Sequence, residues 1–75
     1  MTEDGLIQIS MSAIQTFRPE WGAEFVPPFI IHDFPNYWEV TTKLPEREGY
    51  FVLGGGPAVQ IDKKSLQIIK VIHYQ

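Results

Sequence analysis

A chain of 75 residues without a single cysteine has to hold itself together by packing alone. Disulfides, thiolate metal sites and thiol nucleophiles are excluded together, and a domain this short buries only a modest share of its surface. A thin stability margin follows, and self-association is one way to widen it, so a homo-oligomer, most simply a homodimer, is expected. The chain is 44% hydrophobic and 20% charged, the ordinary range for a folded globular protein. One domain over residues 1–75 is expected, with residues 1–5 loosely held.

Charge narrows the possible partners. Nine acids against six bases leave a net charge of -3, and apart from Lys63-Lys64 the bases are scattered. No basic stripe is present to neutralise phosphates, so nucleic acid is not an expected partner. The sequence has no apolar run of about eighteen residues, and its acidic start Met1-Thr2-Glu3-Asp4 lacks the positive region of a secretory signal. No membrane association is expected, and a cytoplasmic location is.

From Glu3 to Phe17, residues Leu6, Ile7, Ile9, Met11, Ala13, Ile14 and Phe17 share one broad face at helical spacing. Ile7, Ile9, Met11 and Ala13 also alternate as a strand would. The flanking residues decide for a helix: Thr2 or Asp4 can cap its start, Glu3 and Asp4 suit the positive end of its dipole, and Arg18-Pro19 stops it. Trp21, in the turn around Pro19 and Gly22, is expected to fold back on the helix end. Pro27 and Pro28 cannot donate ladder hydrogen bonds, so the strand that follows, over Phe29 to Asp33, begins at a sheet edge or outside the sheet.

Phe34-Pro35-Asn36 supplies a turn, after which Trp38, Val40 and Thr42 alternate with Tyr37, Glu39 and Thr41. Tyr50 to Asp62 and Gln67 to Tyr74 read as two further strands around the turn Lys63 to Leu66. One helix followed by three or four closely linked strands is an α+β domain, the N-terminal helix packed on an antiparallel meander. The last strand is apolar at both parities, Ile69 and Val71 against Ile68, Ile72 and Tyr74. The sheet face away from the helix is therefore expected to need a partner or a second copy.

The run Gly54-Gly55-Gly56-Pro57 interrupts the third strand. A phosphate loop would need Lys-Ser/Thr and a helix after its glycines, whereas strand-like Ala58-Val59-Gln60-Ile61 follows here. The run reads as a bulge or bend, with Pro57 preventing pairing at the kink. His32, Asp33 and His73 are the candidates for acid-base or metal chemistry, and Glu39 or Asp62 could join them. Nothing in their spacing demands a metal, and no cofactor, metal or catalytic residue is expected.

Trp21-Gly22, Pro28-Phe29, Trp38-Glu39-Val40, Gly54 to Gly56, Ile61 to Lys64, Ile68 or Ile69, and His73 resemble the pattern of small bacterial immunity proteins of polymorphic toxin systems, which have a nuclear-transport-factor-like fold. The resemblance spans roughly residues 6 to 75. It implies a truncated cystatin- or nuclear-transport-factor-like fold and a non-enzymatic, toxin-neutralising protein that commonly self-associates. The closing hairpin also resembles PepSY-type inhibitory domains, which makes a regulatory module the first alternative. Larger relatives of the cone-shaped fold include isomerases and dehydratases, so a small enzyme with a dimer-lined pocket is the second. Hairpins of this pattern usually carry glycine at the left-handed position, where this chain has Ser65-Leu66, and a longer or different turn is expected.

Ten aromatics exceed what one helix can cover. Tyr37, Trp38, Tyr50 and Tyr74, with polar tips suited to a half-wet surface, are the expected partner-binding residues together with Glu39. The acids Glu20, Glu24, Glu39, Glu46 and Glu48 read as solvated faces, and an acidic surface would also suit a basic toxin.

Overall fold

The capped helix expected from Thr2 onward is the first element of the computed structural model, which describes residues 2–42 and 56–74. Helix α1 spans Glu3–Phe17. Thr2 is extended, and its hydroxyl accepts the Gly5 N–H at 3.1 Å, satisfying one of the free donors of the first turn. At the other end the Arg18 N–H reaches the Ile14 carbonyl at 2.8 Å before Pro19 ends the run. Leu6, Ser10, Ala13 and Ile14 form the buried stripe. Ser10 is completely buried, and its hydroxyl donates to the Leu6 carbonyl at 2.8 Å, so the helix itself satisfies this polar group.

A single 3-10 turn over Pro19–Trp21 follows, and Pro27-Pro28, joined by a cis peptide bond, leads into the sheet. The strands are β1 (Phe29–Asp33), β2 (Tyr37–Thr42), β3 (Gly56–Asp62) and β4 (Ile68–Tyr74). They lie in sequence order, each antiparallel to the next, which makes β1 and β4 the edges of this four-stranded sheet. The α+β architecture, one helix on an antiparallel meander, is the one the sequence pattern dictates. Pro27 and Pro28 precede an edge strand, where their missing donors cost no ladder bond.

Alternation sets the faces. Ile31 pairs with Val40 and Val40 with Val59, and these residues turn toward α1 along with Trp38 and Ile61. Val40, Val59 and Ile61 have no exposed surface, and with Leu6, Ala13, Ile14 and Phe25 they make the core. Trp21, Phe29, Ile31, Trp38, Ile68 and Val71 pack around it. Trp21 thus joins the core margin.

Three expectations need correction. The alternation that grouped Ile69 with Val71 fails at a register shift between Gln60 and Ile61, where β4 carries one extra residue. Lys70 pairs with Gln60 but Ile68 pairs with Ile61, so Ile68 and Val71 both reach the core while Ile69 is left exposed. Pro57 does not interrupt pairing with β4: it lies opposite His73 and is fully buried, whereas the pairing of β2 with β3 ends at Thr41 and Ala58, one residue short of it. Gly56 opens β3 at φ 94°, a conformation glycine adopts without strain, and Gly54 and Gly55 lie outside the described residues.

The third correction concerns the β3–β4 turn. Leu66 takes the left-handed conformation, φ 61°, that a glycine would usually supply. What holds it is Asp62: its carboxylate accepts the Ser65 N–H at 2.7 Å, the Lys64 N–H at 3.0 Å and the Ser65 hydroxyl at 2.9 Å. Backbone bonds from Leu66 N–H to the Asp62 carbonyl and from Asp62 N–H to the Gln67 carbonyl, each 2.9 Å, close the turn. The cost of one strained leucine is met by this concentration of hydrogen bonds.

Candidate interaction surface

The face of the sheet turned away from α1 is not the apolar expanse that the strand parities suggest. Cross-strand pairing aligns His32 with Glu39, Glu39 with Gln60, and Gln60 with Lys70, a polar row running across all four strands. The parallel row beside it is Ile30, Thr41, Ala58 and Ile72. In the polar row Gln60 donates its side-chain N–H to Glu39 at 2.9 Å. Glu39 is only 7% exposed and Ala58 is fully buried, while His32, Lys70 and Ile30 are open to solvent. Glu39 is therefore not a solvated acid, although the row it belongs to is open at both ends.

At the β1–β2 hairpin the aromatics gather. Phe34 stacks on Tyr37 with ring centres 4.8 Å apart, and His32 lies 6.2 Å from Phe34. Phe34 N–H donates to the Tyr37 carbonyl at 3.0 Å, which fixes the turn that brings the two rings together. Phe34 remains 37% exposed. A stacked pair held on a tight turn beside a polar row offers an anchor with little ordering cost on binding.

Of the residues expected to form a partner-binding patch, Tyr37 and Glu39 share this face. Trp38 does not: it points to the other side, packs against the core, and has the Lys63 ammonium 5.3 Å from its ring centre. That same ammonium pairs with Asp33, so one lysine ties the end of β1 to the start of the last turn. The backbone of Tyr74 pairs with Gly56 at the end of β4, and Tyr50 lies outside the described residues. Phe34, exposed beside Tyr37, is an aromatic that sequence reasoning missed, since a residue next to Pro35 reads as part of the turn rather than of the surface it displays.

The two histidines do not converge. His32 belongs to edge strand β1 on the second face, whereas His73 sits on the opposite edge strand with its ring 5.2 Å from that of Trp21. His73 Nε2 lies 3.1 Å from a Glu24 carboxylate oxygen, and the Arg18 guanidinium covers Trp21 at 5.3 Å. This cluster fastens the segment after α1 to β4. Among the described residues no group of three or more histidine, aspartate or glutamate side chains could hold a metal ion.

One open groove of about 420 Å³ runs between α1 and β4, walled by Ile9, Ala13, Phe17 and Ile68, with Ser12 and Thr16 on its rim. None of these side chains titrates, so the groove supplies no acid or base for proton transfer. Among the described groups, Asp62 has a displaced pKa. The Ser65 N–H, then the Ser65 hydroxyl, hold its carboxyl below the ordinary carboxylate value, helped by the N–H and charge of Lys64 and opposed by partial burial.

No helix among the described residues is long and apolar enough to cross a membrane. Comparison with protein families, with curated proteins and with solved structures finds no match to this chain.

Proposed function

We propose that this chain is a non-catalytic protein-binding domain whose working surface is the sheet face away from α1, centred on the β1–β2 hairpin. The observation that carries the reading is the Phe34–Tyr37 stack, partly exposed and held by the hairpin's own hydrogen bond, adjoining the row of His32, Glu39, Gln60 and Lys70. Rigid aromatics bordered by polar groups that can fix orientation are the usual make-up of interface hot spots. The resemblance to small immunity proteins makes a bacterial toxin with a basic surface the partner of choice, and the net charge of -3 favours its approach.

Affinity capture with the intact chain, run beside Tyr37→Ala and Phe34→Ala variants, tests this reading. A partner retained by the parent and lost by both folded variants supports it. Equal retention by all three, or no specific retention by any, overturns it.

A further inference from the structure

The sheet has two edge strands, and only one of them is blunted. On β4, exposed Lys70 lies mid-strand and the extra residue at Ile69 breaks the regular ladder, two devices that discourage sheet extension. On β1, which carries no cation, all five residues stay in unbroken register with β2, and Pro27-Pro28 stop short of the strand. No described residue pairs with its outer side. We propose that this edge pairs antiparallel with the same edge of a second copy, making one continuous sheet through both.

The hairpin fixes which backbone groups this edge offers. Phe34 N–H bonds to the Tyr37 carbonyl, and because bonded and non-bonded pairs alternate along an antiparallel ladder, the backbones of His32 and Ile30 also turn toward β2. Those of Phe29, Ile31 and Asp33 turn outward. None of the three is a proline, so each offers both an N–H and a carbonyl. Residues 29 and 33 are equally far from residue 31, so a two-fold axis at Ile31 sets Ile31 against its own copy and Phe29 of each copy against Asp33 of the other. Every outward group of the strand then meets its complement.

The side chains suit this register, which is the argument for a second copy over an unrelated strand. On the helix side, half-buried Ile31 meets itself at the axis, an apolar cross-strand pair. Asp33, the one acid on β1 and already paired with Lys63, lies opposite Phe29 at each end, so the two carboxylates stay apart. On the other side Ile30, 37% exposed, lies beside His32 of the other copy. Space for the pairing exists as well: α1 packs chiefly over β2, β3 and β4. The segment after α1 is held to β4 where Trp21 and Glu24 meet His73, so it reaches β1 across the sheet and not around its outer edge.

Sedimentation of the full chain over a concentration series, joined to amide hydrogen exchange followed by NMR, tests the pairing. The parent is expected to approach about 17 kDa, twice the 8.6 kDa chain, at concentrations below about 1 mM. As it does so, the amides of Phe29, Ile31 and Asp33 should slow their exchange about tenfold or more, while those of α1 keep their rates. Ile31→Lys opposes two ammonium groups at the axis and should raise the dissociation constant about tenfold or more, whereas Ile69→Lys on β4 leaves it within about twofold. The exchange measurement needs no substitution, so it decides if Ile31→Lys alters the fold by circular dichroism. A parent that stays monomeric at about 1 mM overturns the proposal and leaves the edge to a foreign strand. So does a dimer whose three β1 amides exchange as fast as in dilute solution, one that a folded Ile31→Lys variant still forms unchanged, or one weakened by Ile69→Lys instead.

Discussion

The two faces of the same four strands are built on different terms. Toward α1, Val40, Val59 and Ile61 are sealed against Leu6, Ala13 and Ile14, and the buried Ser10 hydroxyl among them is satisfied by the Leu6 carbonyl. Away from α1, the register sets a wholly polar row beside a mostly apolar one, and exposure varies along a single row, from buried Glu39 to open His32 and Lys70. The difference teaches that period-two alternation identifies two faces but not their tasks. One face holds the sheet to the helix, and the other mixes buried Glu39 and Ala58 with exposed Ile30, His32 and Lys70.

The strongest way to break that comparison is to delete equivalent groups from each side. Ile61 has no exposed surface, and Ile61→Ala leaves a cavity against the helix, for a loss of about 2–5 kcal/mol in chemical denaturation. Ile30, 37% exposed on the second face, should cost about 1 kcal/mol or less when cut to alanine. Comparable losses at the two positions would mean that both faces are core.

Adjacent residues give a sharper, smaller contrast. Trp38 packs on the core and carries the Lys63 ammonium over its ring, so Trp38→Ala should destabilise by about 2–3 kcal/mol. Tyr37, one residue earlier, loses chiefly its stack on Phe34, and Tyr37→Ala should cost about 1 kcal/mol. Under the proposed function, partner binding responds in the opposite order, with Tyr37→Ala the more damaging. A folded Trp38→Ala variant with unchanged stability would place this indole among surface groups instead.

How far the sequence anticipates this molecule depends on the range of the interaction involved. The bounds of α1 and β1 and the alternation of β2 follow from local signals: a Thr2 cap, a Pro19 stop, Pro27-Pro28, and apolar residues at period two. Each is decided within a few residues. Ile68, Ile69 and Val71 defeat the same reasoning, because a bulge is set by pairing with β3 and reverses the faces of everything beyond it. Leu66 does so too, since its left-handed backbone is tolerated only once Asp62 has gathered its hydrogen bonds. On the sheet face away from α1, Tyr37 and Glu39 can be placed together by counting. The separation of Trp38 from them follows from the same count, whereas the enrichment of Tyr and Trp at interfaces says nothing of which strand face each occupies. That Phe34 joins Tyr37 depends on the geometry of the turn, which the sequence encodes only through Pro35-Asn36.

The smallest expected effect lies at the end of β3, where Asp62 stands opposite Tyr37. Its carboxyl is held below the ordinary value chiefly by the Ser65 N–H and then the Ser65 hydroxyl, bonds that exist only when the turn is formed. The unfolded chain therefore binds this proton more readily than the folded one. The contribution to stability is complete above the unfolded pKa of about 3.9 and fades as pH falls through the lower folded value. Asp62→Asn removes the charge and with it this dependence, so its thermal midpoint should fall less steeply than the parent's on acidification from pH about 4 to about 2. If the two profiles run parallel there, the Asp62 carboxylate is not what holds Leu66 in its left-handed conformation, and the turn must be set by the backbone bonds between Asp62, Leu66 and Gln67 alone.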